Sequence, residues 1–111
     1  MNVFEIAADP IRREIIEALA GADLSAGRLA QRFAVSGPAV SRHLRILREA
    51  GLVRVTRQSQ RWVYSLEPEP LVSMERWARR NLDSWRSRLS ALGAHLDRME
   101  ADESVRSEQG P

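Results

Sequence analysis

The sequence predicts a mainly α-helical fold carrying one small β-hairpin, with a helix-turn-helix at its centre. Three observations predict it. Apolar residues recur at helical spacing over most of the chain, in segments bounded by capping residues, proline and glycine. Residues 52–66 alternate apolar and polar instead, which is the period of a strand. Within residues 25–51 two short helical segments are joined by a tight turn, and the second turns small, hydroxyl and arginine side chains outward. At 111 residues the chain is expected to form one domain, with no room for a cleft between two lobes.

Each element follows from its residues. Residues 2–8 form a short apolar first helix. Asp9-Pro10 starts a second: an aspartate accepts from the free N–H groups of a helix start, and proline's missing donor is not needed in the first turn. Ile11, Ile15, Ala18 and Leu19 line its inner face, and Gly21 is its stop. Ser25 caps the third helix, whose inner face is Leu29, Ala30 and Phe33. After Ala34-Val35, Ser36 caps the fourth, with Pro38 in its first turn. There Val40, Leu44 and Leu47 repeat at four and three residues, and Gly51 ends the run. Residues 52–58 and 61–66 pair as a hairpin around Ser59-Gln60. That pair lacks the Asn-Gly or Asp-Gly chemistry of the tightest turns, which leaves open a loop longer than two residues. Trp62 and Tyr64 fall on one strand face and are read as core.

Glu67-Pro68-Glu69-Pro70 ends the hairpin and starts a long helix over about 70–100. Along it Leu71, Met74, Ala78, Leu82, Trp85, Leu89, Leu92, Leu96 and Met99 step by threes and fours. A domain of this size cannot cover such a seam by itself, so a helical partner is expected, with Trp85, Leu89, Leu92 and Leu96 in a homodimer interface. Residues 101–111 are polar and aperiodic and are expected to be a disordered tail, leaving 1–100 as a single domain.

Charge is distributed unevenly. The formal net charge is only +2. Residues 25–66, however, carry eight arginines (28, 32, 42, 45, 48, 54, 57 and 61) against the single acid Glu49, a net +7. Residues 67–111 hold seven arginines against nine acids, a net −2. Polarisation of this kind is the electrostatic footprint of a nucleic-acid-binding surface. All 17 basic residues are arginine, a bias that genomic base composition explains as well as phosphate binding does. The chain has no cysteine, which excludes disulfides and thiolate metal sites. With two histidines, no phosphate loop and no clustered carboxylates, an enzyme is not expected. No basic-then-apolar leader and no apolar run of 18 residues is present, so a cytoplasmic protein without membrane contact is expected.

The order helix, helix-turn-helix, hairpin, long helix is that of a winged helix with an added C-terminal helix, and the chain resembles the ArsR/SmtB family of dimeric bacterial repressors. The likeness covers residues 3–98. It is carried by Asp9-Pro10-Ile11-Arg12-Arg13, by Leu24-Ser25-Ala26-Gly27, and by Val35-Ser36-Gly37-Pro38-Ala39-Val40-Ser41-Arg42-His43-Leu44. Leu47-Arg48-Glu49-Ala50-Gly51-Leu52-Val53 and Tyr64 complete it. Within the family the chain looks like the cysteine-free, SdpR-like branch. The resemblance implies a winged helix-turn-helix fold, a dimer made through the first and last helices, and repression by occupying a promoter. It does not imply a metal or any other cofactor. Metal-sensing members use thiolates before the turn, or paired Asp/His and His/Glu sites on the last helix. Here His95 has Ala91, Leu92, Arg98 and Met99 three and four residues away, no set of ligands for zinc.

These readings converge on a DNA-contacting set. On the fourth helix it comprises Ser36, Gly37, Pro38, Ser41, Arg42 and Arg45, of which the resemblance brings Gly37, Pro38, Ser41 and Arg42 to base edges. Gly37 departs from relatives that carry glutamine there. Arg57 and Arg61 at the hairpin tip are placed to meet phosphates or the minor groove, while Arg54 fits equally well as an ordinary edge-strand charge. His43, on the border of the buried face, is read as a structural hydrogen-bonding group. The expected partners are double-stranded operator DNA and a second copy of the chain; no small-molecule effector is assigned. The competing reading is a winged-helix module that docks a protein without reading DNA, which a +7 surface disfavours.

Overall fold

Asn2, Asp9, Ser25 and Ser36 each accept backbone hydrogen bonds at the start of a helix, and they divide the N-terminal part of the chain. The computed structural model describes residues 1–108. They form α1 (Val3–Ala8), α2 (Pro10–Gly21), β1 (Leu24–Ser25), α3 (Ala26–Arg32), α4 (Gly37–Glu49), β2 (Val53–Gln58), β3 (Arg61–Leu66) and α5 (Glu69–Glu108). By contacts the chain divides into two units, residues 1–74 and residues 75–111.

The first unit is built on a core of Ile6, Ile15, Ile16, Leu19, Leu29, Val40, Leu44, Leu47, Leu52 and Val53. The inner face of α2 is rotated slightly from the expected one: Ile16 is buried, while Ile11 and Ala18 are only half-buried against the core. Leu29 is fully buried, with Phe33 packed at the edge. The expected face of α4 is the observed one, Val40, Leu44 and Leu47 being 0–2% exposed.

The two helix stops differ. Gly21 is the last helical residue of α2, and the cap is Ala22 in an extended conformation, so no left-handed glycine terminates that helix. Gly51 does what a glycine stop requires. At φ +75° it turns the chain out of α4 while its N–H donates to the Arg48 carbonyl, and Leu52 N–H reaches back to Leu47, each at 3.0 Å. This is the Schellman pattern, and it delivers Leu52 into the core beside Leu47.

The hairpin turns at Ser59-Gln60 as expected, and the longer loop left open is not needed: it closes through two residues, with Gln58 opposite Arg61 and Ser59 in the left-handed region at φ 57°. Ser59-Gln60 therefore makes the tight turn without a glycine. The sheet has a third strand as well: Leu24 and Ser25 pair with Tyr64 and Val63, giving the antiparallel order β1-β3-β2. Two residues are too few for periodicity to reveal, and Ser25 was legible only as a cap.

The second unit continues α5 from residue 75 to residue 108. The helix runs through 101–108, where a tail was expected; residues 109–111 of that tail lie outside the described residues. Its surface pairs Arg79 with Glu75 at 3.4 Å and Arg86 with Asp83 at 4.0 Å, both well exposed and worth little to stability.

Candidate nucleic-acid interface

Helix α4 is held rigidly on one side and left open on the other. Ser36 Oγ accepts from the Ala39 N–H at 3.2 Å, and Pro38 occupies the first turn, so the start of the helix is fixed. Its buried face is Val40, Leu44 and Leu47; Pro38, Ser41, Arg42 and Arg45 share the opposite face at spacings of three and four, and all are exposed. Among the described residues neither Arg42 nor Arg45 is engaged in an ion pair. Ser36 and Gly37 lie exposed at the start of the same helix. A Cβ built on Gly37 meets nothing within 4 Å, so the protein's own packing does not demand glycine there. The missing side chain matters only to whatever the helix faces.

At the hairpin the three arginines part company. Arg54 pairs with Glu67 at 3.1 Å and is tied down at the base of the wing. Arg57 and Arg61 are exposed at the tip. The Arg57 Nε donates to the Ser59 carbonyl at 3.4 Å, and its guanidinium carbon lies 5.3 Å from the centre of the Trp62 ring. Trp62 is 51% exposed, which overturns its assignment to the core. The face was read correctly and its burial was not, because the hairpin extends beyond the helices that cover its base. Tyr64, two residues inward, does pack on the core. An open groove between the first turn of α3 and the hairpin tip is lined by Asp23, Ser25, Arg28, Gln58, Ser59 and Arg61. Arg28, absent from the residues singled out by sequence, thus faces the same space as Arg61; only its membership of the +7 segment hinted at this.

A second group, in which the sequence marked Asp9 as a cap and His43 as a hydrogen-bonding residue but gave Arg12 no role, ties α1, α2 and α4 together. Asp9 Oδ1 accepts from Ile11 and Arg12 N–H at 2.9 and 3.0 Å. Arg12 is only 9% exposed; its Nε donates to the Ile6 carbonyl at 3.1 Å and its Nη1 meets His43 Nδ1 at 3.4 Å. A guanidinium has donors and no acceptor, so Arg12 is the donor in this pairing. Arg13 turns the other way and donates to the Ala7 and Ala8 carbonyls at 2.9 and 3.3 Å. The run Asp-Pro-Ile-Arg-Arg is thereby explained: it caps α2 with its acid and the end of α1 with its arginines. His43 takes the structural role expected, linking α4 to α2. Hydrogen bonding from the Arg12 N–H is the main influence holding the Asp9 carboxyl below the usual aspartate range, with the nearby Arg12 charge adding to it and partial burial opposing. The signal for Arg12 was a charged residue on the stripe that carries Ile15, Ile16 and Leu19.

On α5 the predicted seam stands clear of cover. Trp85, Leu89, Leu92 and Leu96 are 47–53% exposed, with Leu82 and Met99 similar. The Arg88 guanidinium lies 5.3 Å from the centre of the Trp85 ring, and both line a shallow recess with Leu89 and Leu92. His95 is exposed beside Met99 and Arg98 in sequence. Among the described residues no group of three or more His, Asp or Glu side chains is placed to hold a metal ion. No described helix is long and apolar enough to cross a membrane.

A helix-turn-helix backed by a three-stranded wing, with a basic open face, defines a winged-helix DNA-binding regulator. Comparison with known proteins agrees. Residues 7–56 match the helix-turn-helix domain family HTH_20. The transcriptional repressor SdpR of Bacillus subtilis is 40% identical over 76 residues, 68% of this chain and 84% of SdpR. The HTH-type transcriptional regulator Rv2034 of Mycobacterium tuberculosis is 38% identical over 103 residues, 93% of this chain and 92% of that protein. Among solved structures, an ArsR-like transcriptional regulator from Rhodococcus sp. RHA1 superimposes with a TM-score of 0.70 at 34% identity, covering 81% of this chain and 85% of its own. The chain belongs to the ArsR family of helix-turn-helix transcriptional regulators.

Proposed function

We propose that the protein is a homodimeric repressor that binds an inverted-repeat operator through α4 and the wing, without catalytic activity and without a metal. The observation that carries this reading is the two-sidedness of α4: three aliphatic side chains lock one face while Ser41, Arg42 and Arg45 stand open on the other. Arg42 reads a guanine edge in the major groove, where its planar fork bonds O6 and N7 together. Ser36, Gly37, Pro38 and Ser41 lie close against the groove, and Gly37, lacking a side chain, makes no base contact of its own. Arg45 and the wing residues Arg57 and Arg61 hold phosphates or the minor groove.

The second copy is supported by the exposed seam at Trp85, Leu89, Leu92 and Leu96, an apolar stripe that a helix does not leave in water. Repression and the SdpR-like placement rest on likeness to a repressor; on that likeness the protein controls its own transcription unit, and operation in the cytoplasm follows from that role. The tests begin with footprinting on the promoter of that unit. Two protected half-sites are expected, their centres about 34 Å or a multiple apart on one face of the duplex. Absence of protection on that promoter removes autorepression. Absence of any duplex preference in a random-sequence selection removes the DNA-reading role and favours a protein-docking module.

A further inference from the structure

The indole of Trp62 sits where the core has already ended. The register pairs Val53 with Leu66, Val55 with Tyr64 and Arg57 with Trp62, so these six side chains share one sheet face. Outward along that face Val53 is buried, Val55 and Tyr64 are half-buried, and Trp62 is half-exposed. The group against the indole is cationic: Arg57 is stacked over its ring and anchored to the Ser59 carbonyl, while Arg61, the preceding residue, puts a second cation on the opposite face of the same strand. A bare indole near the tip of a hairpin invites association and is normally avoided there. A partner that rewards both indole and guanidinium must present apolar faces and negative charge side by side. Duplex DNA does so along the minor groove, where deoxyribose walls lie between phosphates.

We propose that Trp62 contacts DNA in its own right, packing its indole edge-on against the sugars of the minor groove beside the phosphate held by Arg57. A groove about 6 Å wide admits a ring in that orientation. The proposal rests on the DNA-binding reading above and adds to it an apolar contact that ordinary phosphate gripping does not include. Arg57 is pre-stacked on the ring, so the pair meets the duplex as one surface with little ordering left to be done.

Charge and stacking separate in a salt series. Binding of a mixed-sequence 24-base-pair DNA duplex is measured at several salt concentrations for the wild type, Trp62→Ala, Trp62→Phe, Arg57→Ala and the Trp62→Ala/Arg57→Ala double variant. Trp62→Ala is expected to weaken binding about fivefold or more at every salt concentration, leaving the slope of log affinity against log salt unchanged. Arg57→Ala should flatten that slope by roughly one unit per lost phosphate contact. Trp62→Ala should still weaken binding when Arg57 is already alanine, and Trp62→Phe, which keeps a ring and the fold, should recover most of the affinity. The duplex should also change the emission of the wild type in a way that Trp62→Phe abolishes.

If Trp62→Ala binds within twofold of the wild type, the indole does not contact DNA and the proposal fails while the DNA-binding reading stands. An effect of Trp62→Ala that vanishes in the Arg57→Ala background makes Trp62 a mere support for Arg57 and also overturns it. If the wild type binds no duplex, both readings fall together.

Discussion

Single residues fix how α1, α2 and α4 are joined, and two of them can be tested by stability alone. Asp9 caps α2 through two backbone hydrogen bonds, and its carboxyl titrates below the usual aspartate range. A lowered value in the folded state means the native protein holds fewer protons than the unfolded chain, so stability is gained above the ordinary aspartate value and lost as pH falls through the folded one. Asp9→Asn retains a capping oxygen but cannot titrate. It should flatten the acid limb of a stability-versus-pH profile, and an identical limb would show that Asp9 carries no share of it. Arg12 presents a larger stake: it is buried and bonds the Ile6 carbonyl and His43. Arg12→Met keeps the length but removes both bonds, which should cost about 2 kcal/mol in urea unfolding, as hydrogen bonds from a charged donor do. An unchanged midpoint would mean that neither bond matters.

At the scale of elements, legibility tracked the strength of the local pattern. The α4 core stripe, the Ser36 cap and the Gly51 stop were all readable, because a period of 3.6 and a left-handed glycine leave plain marks. Strand β1 was not readable, since its two residues are held by a partner forty positions away in the chain, Leu24 against Tyr64. The position of the wing loop was legible but not its tightness: Ser59 accepts a positive φ that glycine takes more readily, and the strands on either side impose it. A non-glycine residue in that conformation carries strain, so Ser59→Gly should raise stability by up to about 1 kcal/mol. Thermal unfolding checks this, and a lowered midpoint would show that the serine is instead favoured in the turn. On α5, replacing Leu89 and Leu92 together with glutamate puts charges in the proposed dimer seam. Sedimentation should then report monomers where the wild type gives dimers; a persistent dimer would place the interface elsewhere.

For the whole molecule, the segregation of charge is visible in the sequence itself. A net +7 over residues 25–66 coincides with the helix-turn-helix and wing, while the acidic excess lies in the hairpin-to-helix junction and the last helix. What sequence could not supply was where cover ends. Trp62 shares a strand face with core residues yet lies half in water, and Arg12 shares a helix face with isoleucines yet is polar and buried. Both exceptions sit where one element meets, or fails to meet, another, and no local pattern encodes that.

The central claim is that α4 reads DNA and the wing grips it. Its most direct test is the affinity of the wild type, Arg42→Ala and Arg57→Ala/Arg61→Ala for a selected operator duplex and its scrambled counterpart, each over a range of salt. Arg42→Ala should reduce operator affinity by about tenfold or more, the discrimination of a bidentate base contact, while leaving scrambled-duplex binding nearly unchanged. The wing double variant should weaken both duplexes alike and flatten the salt dependence, twice over in a dimer. Equal losses on both duplexes for Arg42→Ala would make Arg42 a phosphate clamp and contradict the assignment of α4 as the reading helix.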